Sequence, residues 1–383
     1  MSAHLKPESR LLHAGKAPDR LLATVGPPVQ RGSTILLPNA AALYDEAGTT
    51  YGRAGLASHA ALAQALAVLE NAAVVRLFPS GLAALAAALL AVLKTGDEVL
   101  LTDAVYKPTR RFCDRALRRF GVSARYHRPD AGPDEIFALC GPRTRLIVLE
   151  SPGSLTFEVQ NAPAIAAQAR ARGVLTLMDN TWAAGLHFKP LDHGVDLSVQ
   201  ALTKYVGGHS DVFMGSVAAV RPDLVAALDA AVLDFGWAVS GDDAYQMLRG
   251  LRTLPTRMAR HQDSGLEVAA WLETHARIAR VIHPAMAGSP GHELWRRDFT
   301  GAAGLFAFVL DGGGTEEAAA FLDALRLFGL GFSWGGFESL ALNCDPQFTA
   351  RVAPPRFEGP LIRLSVGLED SGDLIDDLNQ ALS

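Results

Sequence analysis

Two patterns alternate along the chain. Short, mostly apolar runs occupy Ala73–Phe78, Asp97–Asp103, Arg145–Leu149, Val174–Met178, Val195–Leu202, Leu305–Leu310 and Pro360–Val366, with a less apolar one at Ser123–His127. Runs this short read as strands, most of them buried on both faces. Between them lie segments read as helical: His59–Leu69, the Ala/Leu tract Leu82–Leu93, Arg110–Phe120, Pro163–Arg172, Asp242–Trp271 with a break near Pro255, and Glu316–Phe328. Such alternation predicts an α/β fold with a mostly parallel sheet and right-handed crossovers. Its ligand site belongs at the carboxyl ends of the strands.

The first stretch, to about Arg53, has Pro27-Pro28 and Pro38 and only one short helical candidate, Asn39–Glu46. It reads as an extended arm. The expected division is an arm at 1–54, a large domain at 55–250, and a smaller α/β domain at 251–383 that opens near Gly250. The most apolar tract, Leu82–Leu93, is too short to span a bilayer.

Composition narrows the function. A 383-residue chain with 49% hydrophobic residues, 20% charged residues and 36 glycines fits an ordinary soluble α/β protein. A net charge of −5 offers no basic field for nucleic acid or an anionic membrane. The three cysteines, Cys113, Cys140 and Cys344, are far apart, which argues against a disulfide framework or zinc site and for a reducing compartment. With no apolar signal at the amino terminus, a cytoplasmic protein is expected.

The candidate chemistry centres on 176–208. One apolar run ends in Asp179, and the next delivers Thr203 and Lys204. Taken singly, the acid is also a common turn or cap residue and the lysine a common surface residue. As a pair they suit pyridoxal phosphate, whose ring nitrogen needs a carboxylate and whose aldehyde needs an amine. Four other places carry chemistry, each with a plain structural alternative. Pro79-Ser80-Gly81 at a helix start is either a turn or an anion site. Tyr51 and Arg53 form either a phosphate clamp or a solvated loop. Tyr106, just past a strand, is either a ring-stacking phenol or an ordinary core or surface residue. Arg363, the one charge in its strand, needs a partner, either a neighbouring acid or a bound carboxylate.

These motifs, DNTWAAG followed by QALTKYVGGHSD, with YGRAG, PSG-x-AA, TDAVY and RLSV in order, resemble the Cys/Met-metabolism family of fold-type I pyridoxal-phosphate enzymes. Within that family the chain looks most like the cystathionine β-lyase branch, in which Phe332 and Trp334 replace the Glu and Leu of γ-acting relatives. The resemblance implies α,β-elimination of L-cystathionine to homocysteine, pyruvate and ammonia. It implies that Lys204, Tyr106 and Asp179 are catalytic. Tyr51, Arg53, Gly81, Leu82 and Thr203 would complete the cofactor site, and Arg363, Ser333, Trp334 and Tyr51 would meet the substrate. Tyr51 and Arg53 would serve the neighbour's site, so the assembly is expected to be at least a dimer, with a tetramer as its full form. Ser154 stands where many relatives place an Asn. Ala54, Leu56 and Ala57 depart from the family's pattern of a second basic residue and Thr-Pro. The competing readings are a γ-acting relative, such as a methionine γ-lyase or cystathionine γ-synthase, and a non-catalytic cofactor-binding regulator.

Overall fold

The computed structural model describes residues 6–14, 24–45 and 48–383. Its large sheet contains β1 (Val74–Phe78), β2 (Glu98–Thr102), β3 (Ser123–His127), β4 (Thr144–Glu150), β5 (Leu175–Asp179), β6 (Leu197–Gln200) and β7 (Gly215–Ala219), in spatial order β1-β7-β6-β5-β4-β2-β3. Every neighbouring pair is parallel except those of β7, which runs against both β1 and β6.

The central strands are apolar throughout because both sheet faces are covered. Side chains alternate across a strand, so Leu100, Ile147, Leu149 and Met178 face one helical layer, with Leu62 and Leu66. Val99, Leu101, Leu146, Val148 and Leu177 face the other, with Leu85 and Leu89. One consequence fixes the site. The paired strands β4 and β5 end together, in register, on Glu150 and Asp179.

The second sheet contains β8 (Ile278–Ile282), β9 (Leu305–Leu310), β10 (Gly329–Leu330), β11 (Leu340–Asn343) and β12 (Leu361–Ser365), ordered β10-β11-β12-β9-β8. Its pairs are antiparallel except β10 with β11. Phe306 and Phe308 of β9 pack with Leu374 and Leu378 from the helix Ser371–Ala381. Leu305, Ala307 and Val309 point the other way, into the same core as Met178 and Trp182.

The expected boundary at Gly250 falls inside the helix Gly241–Arg252, and the axis breaks at Thr253 before the helix Leu254–Thr274. Within the arm only a short turn, Ala41–Tyr44, occupies the helical candidate, and Glu46 lies outside the described residues. The helix expected at Glu316–Phe328 stops at Ala324, and that at Arg110–Phe120 contains a π-helical turn at Phe112–Leu117.

Candidate active site

A cavity of about 250 Å³ opens at the carboxyl ends of β4, β5 and β6. Gly81, Leu82, Tyr106, Glu150, Ser154, Asp179, Thr203, Lys204, Trp334 and Arg363 all line it. The acid and the lysine that the sequence pairs thus face one enclosed space.

Asp179 is the last residue of its strand, and its environment is built to keep a carboxylate there. The Thr181 backbone N–H and hydroxyl both donate to its Oδ1, at 3.0 and 2.5 Å. The same hydroxyl accepts from the Ala201 N–H at 2.9 Å, which ties the acid to the turn leaving β6. Oδ2 has no partner among the described residues. Burial raises the Asp179 pKa, while the Thr181 donors and the charge of Lys204 oppose the shift.

Lys204 sits four residues past the end of β6, on a compact turn closed by the bonds Lys204 N–H to Ala201 O (3.1 Å) and Gly208 N–H to Lys204 O (2.8 Å). The guanidinium of Arg257 holds that turn from behind, donating to the carbonyls of Tyr205 and Gly250 at 2.6 and 2.8 Å. The Lys204 ammonium donates to Ser333 Oγ at 2.9 Å and lies 5.4 Å from the centre of the Trp334 ring. Burial first, and then the charge of Arg363, brings its pKa down to about 8, against the pull of Asp179 and Glu338. An amine so placed still carries its proton most of the time near neutral pH but gives it up far more readily than an exposed lysine, as a nucleophile or base must.

Arg363 is 6% exposed. No acid lies in ion-pair range of it among the described residues, which removes the neighbouring-carboxylate alternative. Its Nη2 donates to the carbonyls of Ser333 (2.9 Å) and Phe332 (3.2 Å), and its Nε is buried without a partner. A buried cation with an orphaned donor is costly unless an anion arrives. Arg363 and Lys204 meet on the same residue, one on the carbonyl of Ser333 and the other on its hydroxyl.

At the opposite wall the helix Gly81–Val92 begins. The Ser80 hydroxyl caps the N–H of Ala83 at 3.1 Å, and the N–H groups of Gly81 and Leu82 have no intrahelical acceptor. Glycine is required here, because a Cβ at Gly81 would come within 2.5 Å of the Ala201 Cβ. Free N–H groups at a helix start suit phosphate. An acid, an amine, an anion cradle and an unpaired guanidinium therefore fit the pyridine nitrogen, aldehyde and phosphate of pyridoxal phosphate and the carboxylate of an amino acid.

The remaining expected residues divide. Tyr106 is 44% exposed at the cavity wall, its backbone N–H bonded to Glu150 Oε2 at 2.7 Å. Burial is the first cause that raises its phenol pKa. The hydroxyl of Thr203 is already engaged: it donates to Met214 O at 3.2 Å and accepts the Met214 N–H at 3.0 Å. Ser154 lines the cavity and bonds Glu150. Tyr51 and Arg53 stand outside the cavity of their own chain, the guanidinium stacked 5.1 Å over the half-exposed phenol ring. Glu150 and Thr181 escaped sequence reasoning. The first shares with Asp179 the one available signal, an acid closing an apolar run.

Fold and site together define a fold-type I pyridoxal-phosphate enzyme. The family described as Cys/Met metabolism PLP-dependent enzyme matches residues 8–383, and the chain belongs to that family. It is 42% identical over 389 residues to the cystathionine beta-lyase MetC of Escherichia coli (strain K12), covering 98% of each chain. It is 40% identical to the cystathionine beta-lyase of Salmonella typhimurium (strain LT2), covering 97% of this chain and 96% of that one. Among solved structures, the crystal structure of metB from Corynebacterium glutamicum superposes with a TM-score of 0.93 at 30% identity, covering 99% and 98% of the two chains. Among the described residues no helix is long and apolar enough to cross a membrane.

Proposed function

We propose that this protein is a pyridoxal-phosphate-dependent carbon–sulfur β-lyase that cleaves L-cystathionine to homocysteine, pyruvate and ammonia. The convergence of Lys204 and Arg363 on Ser333, in a cavity that Asp179 also lines, carries the reading. In this reading a proton-transfer group stands next to a carboxylate-binding group, as elimination from an amino acid requires. When bound, the cofactor supplies an electron sink for the pair released at the substrate's α-carbon.

The residues supply the rest. Arg363 binds the α-carboxylate through its unpaired face. Lys204 would hold the cofactor through its amine, and as a base it takes the α-proton of the substrate and returns a proton to the departing sulfur. Tyr106, on the cavity wall, assists that transfer. Asp179, with Oδ2 free, would hold the cofactor's ring nitrogen and keep it protonated. The N–H groups of Gly81 and Leu82 would hold its phosphate. Trp334 shapes the wall on the substrate side, and Ser333 links Lys204 to Arg363. Tyr51 and Arg53 complete the site of a neighbouring copy, in a dimer or a tetramer built from dimers, and the enzyme works in the cytoplasm.

A γ-acting enzyme would use much of the same machinery. The product separates the two, since β-cleavage of cystathionine gives pyruvate and γ-cleavage gives 2-oxobutyrate. Pyruvate is the expected keto acid; 2-oxobutyrate as the main product refutes the β-lyase reading. Lys204→Ala is expected to lower turnover by about 10²–10⁴-fold and to abolish the bound cofactor's visible absorbance, both read on the purified protein.

A further inference from the structure

Two acids end adjacent strands, and neither is in an ion pair among the described residues. Glu150 and Asp179 are register partners at the ends of β4 and β5, so their side chains leave the sheet on the same face, one strand spacing apart. Both line the cavity. Burial raises the Asp179 pKa, and two donors on Oδ1 and the charge of Lys204 oppose that rise. Glu150 has different surroundings. Its Oε2 accepts the Tyr106 N–H at 2.7 Å, and its carboxyl shares a hydrogen bond with Ser154. The charged and titratable groups facing it are Asp179 on β5, Tyr106 beyond β2, and Arg351 from the segment before β12. Arg351 directs its guanidinium elsewhere, to the Ser154 carbonyl (2.7 Å) and the Thr156 hydroxyl (2.9 Å). Neighbouring carboxyls in a buried site each disfavour the other's charged form, so a proton kept by one eases the ionisation of the other.

We infer that Glu150 is a positioning residue: a neutral carboxyl that anchors Tyr106 through its backbone N–H and leaves Asp179 as the single negative charge toward the cofactor ring. Burial and the charge of Asp179 push the Glu150 pKa well up, against the smaller opposing pull of the Tyr106 N–H, Ser154 and Arg351. The inference rests on reading the cavity as a pyridoxal-phosphate site. Within that reading it explains why an acid of no catalytic duty lies at the cavity wall. A second ionised acid beside Asp179 would share the attraction of the pyridinium proton and blur where the ring is held. A missing acceptor would release the tyrosine at the cavity wall.

The test compares Glu150→Ala, Glu150→Asp and Glu150→Gln with the wild-type holoenzyme. An amide reproduces a protonated carboxyl in size and acceptor position and has no charge. Glu150→Ala and Glu150→Asp are expected to lower kcat about tenfold, the effect of one misplaced hydrogen bond, with a smaller change in KM. Glu150→Gln is expected to restore most of that loss. Cofactor retention after dialysis, followed by visible absorbance, and melting temperature are measured on the same samples. Loss of cofactor in Glu150→Gln as severe as in Glu150→Asp would show that the charge matters, and it overturns the inference. So would a Glu150→Ala enzyme with wild-type kcat. If the wild-type protein itself retains no cofactor, the reading of the cavity fails, irrespective of Glu150.

Discussion

Lys204 and Arg363 illustrate how single side chains set one another's chemistry. The guanidinium is the second cause, after burial, of the low Lys204 pKa, and a lysine becomes a nucleophile only when it loses its proton. Capture of pyridoxal phosphate by the apoprotein should therefore accelerate as pH rises through about 8. Arg363→Ala removes a cation, raises the lysine's pKa and should move that limb to higher pH. Stopped-flow absorbance across a pH series checks both, and an unmoved limb would mean that Arg363 has no hold on the amine. The same variant should weaken substrate binding by about tenfold to a hundredfold, the worth of charge-assisted hydrogen bonds to a carboxylate, read as KM. These residues were legible in the sequence because a charge ending or interrupting an apolar strand needs a reason. Glu150 carried the same signal and was passed over, since only strand register shows that it stands beside Asp179. The state of the Thr203 hydroxyl was not legible either, because its partner, Met214, is eleven residues on, across a turn.

At the scale of elements, the helix Gly81–Val92 and the lysine turn meet with no room for a side chain at Gly81. Gly81→Val should force them apart, destabilise the fold by about 1–3 kcal/mol and sharply weaken cofactor binding. Thermal melting and equilibrium dialysis measure the two effects, and an unchanged affinity would separate the helix start from the phosphate site. Elements were legible where pattern and packing agree: β3, β9 and the paired helices around Pro255 lie where their apolar spacing puts them. The missing ones have ordinary physical reasons. The strand β7, Gly-Ser-Val-Ala-Ala, is made of small residues with a single β-branched one and takes its conformation from β1 and β6 on either side. The helix Pro133–Leu139 is only seven residues long, and it leans on its start, where Glu135 bonds the Gly132 N–H at 2.9 Å. The helix Pro222–Phe235 is the larger omission, since Leu224, Leu228 and Ala231 mark its buried stripe at helical spacing.

For the whole molecule, the placement of Tyr51 and Arg53 outside their own chain's cavity makes assembly part of the catalytic proposal. Mixing tests it. Lys204→Ala chains and Arg53→Ala chains are each expected to be nearly inactive. If the clamp crosses to a neighbour, a hybrid dimer gathers both lesions into one site and leaves the other intact. Random re-pairing should then recover about a quarter of the wild-type rate, measured as pyruvate release after co-refolding. No recovery would confine Arg53 to its own chain.

The alternation along β9 bears on how the molecule comes apart. One row of its side chains belongs to the carboxy-terminal layer and the other is sealed against Met178 and Trp182. Neither half can let go without wetting the other's interior. Heating should therefore give one calorimetric transition for both halves, and a chain severed at Thr253 should yield two sticky fragments instead of a free-standing lobe.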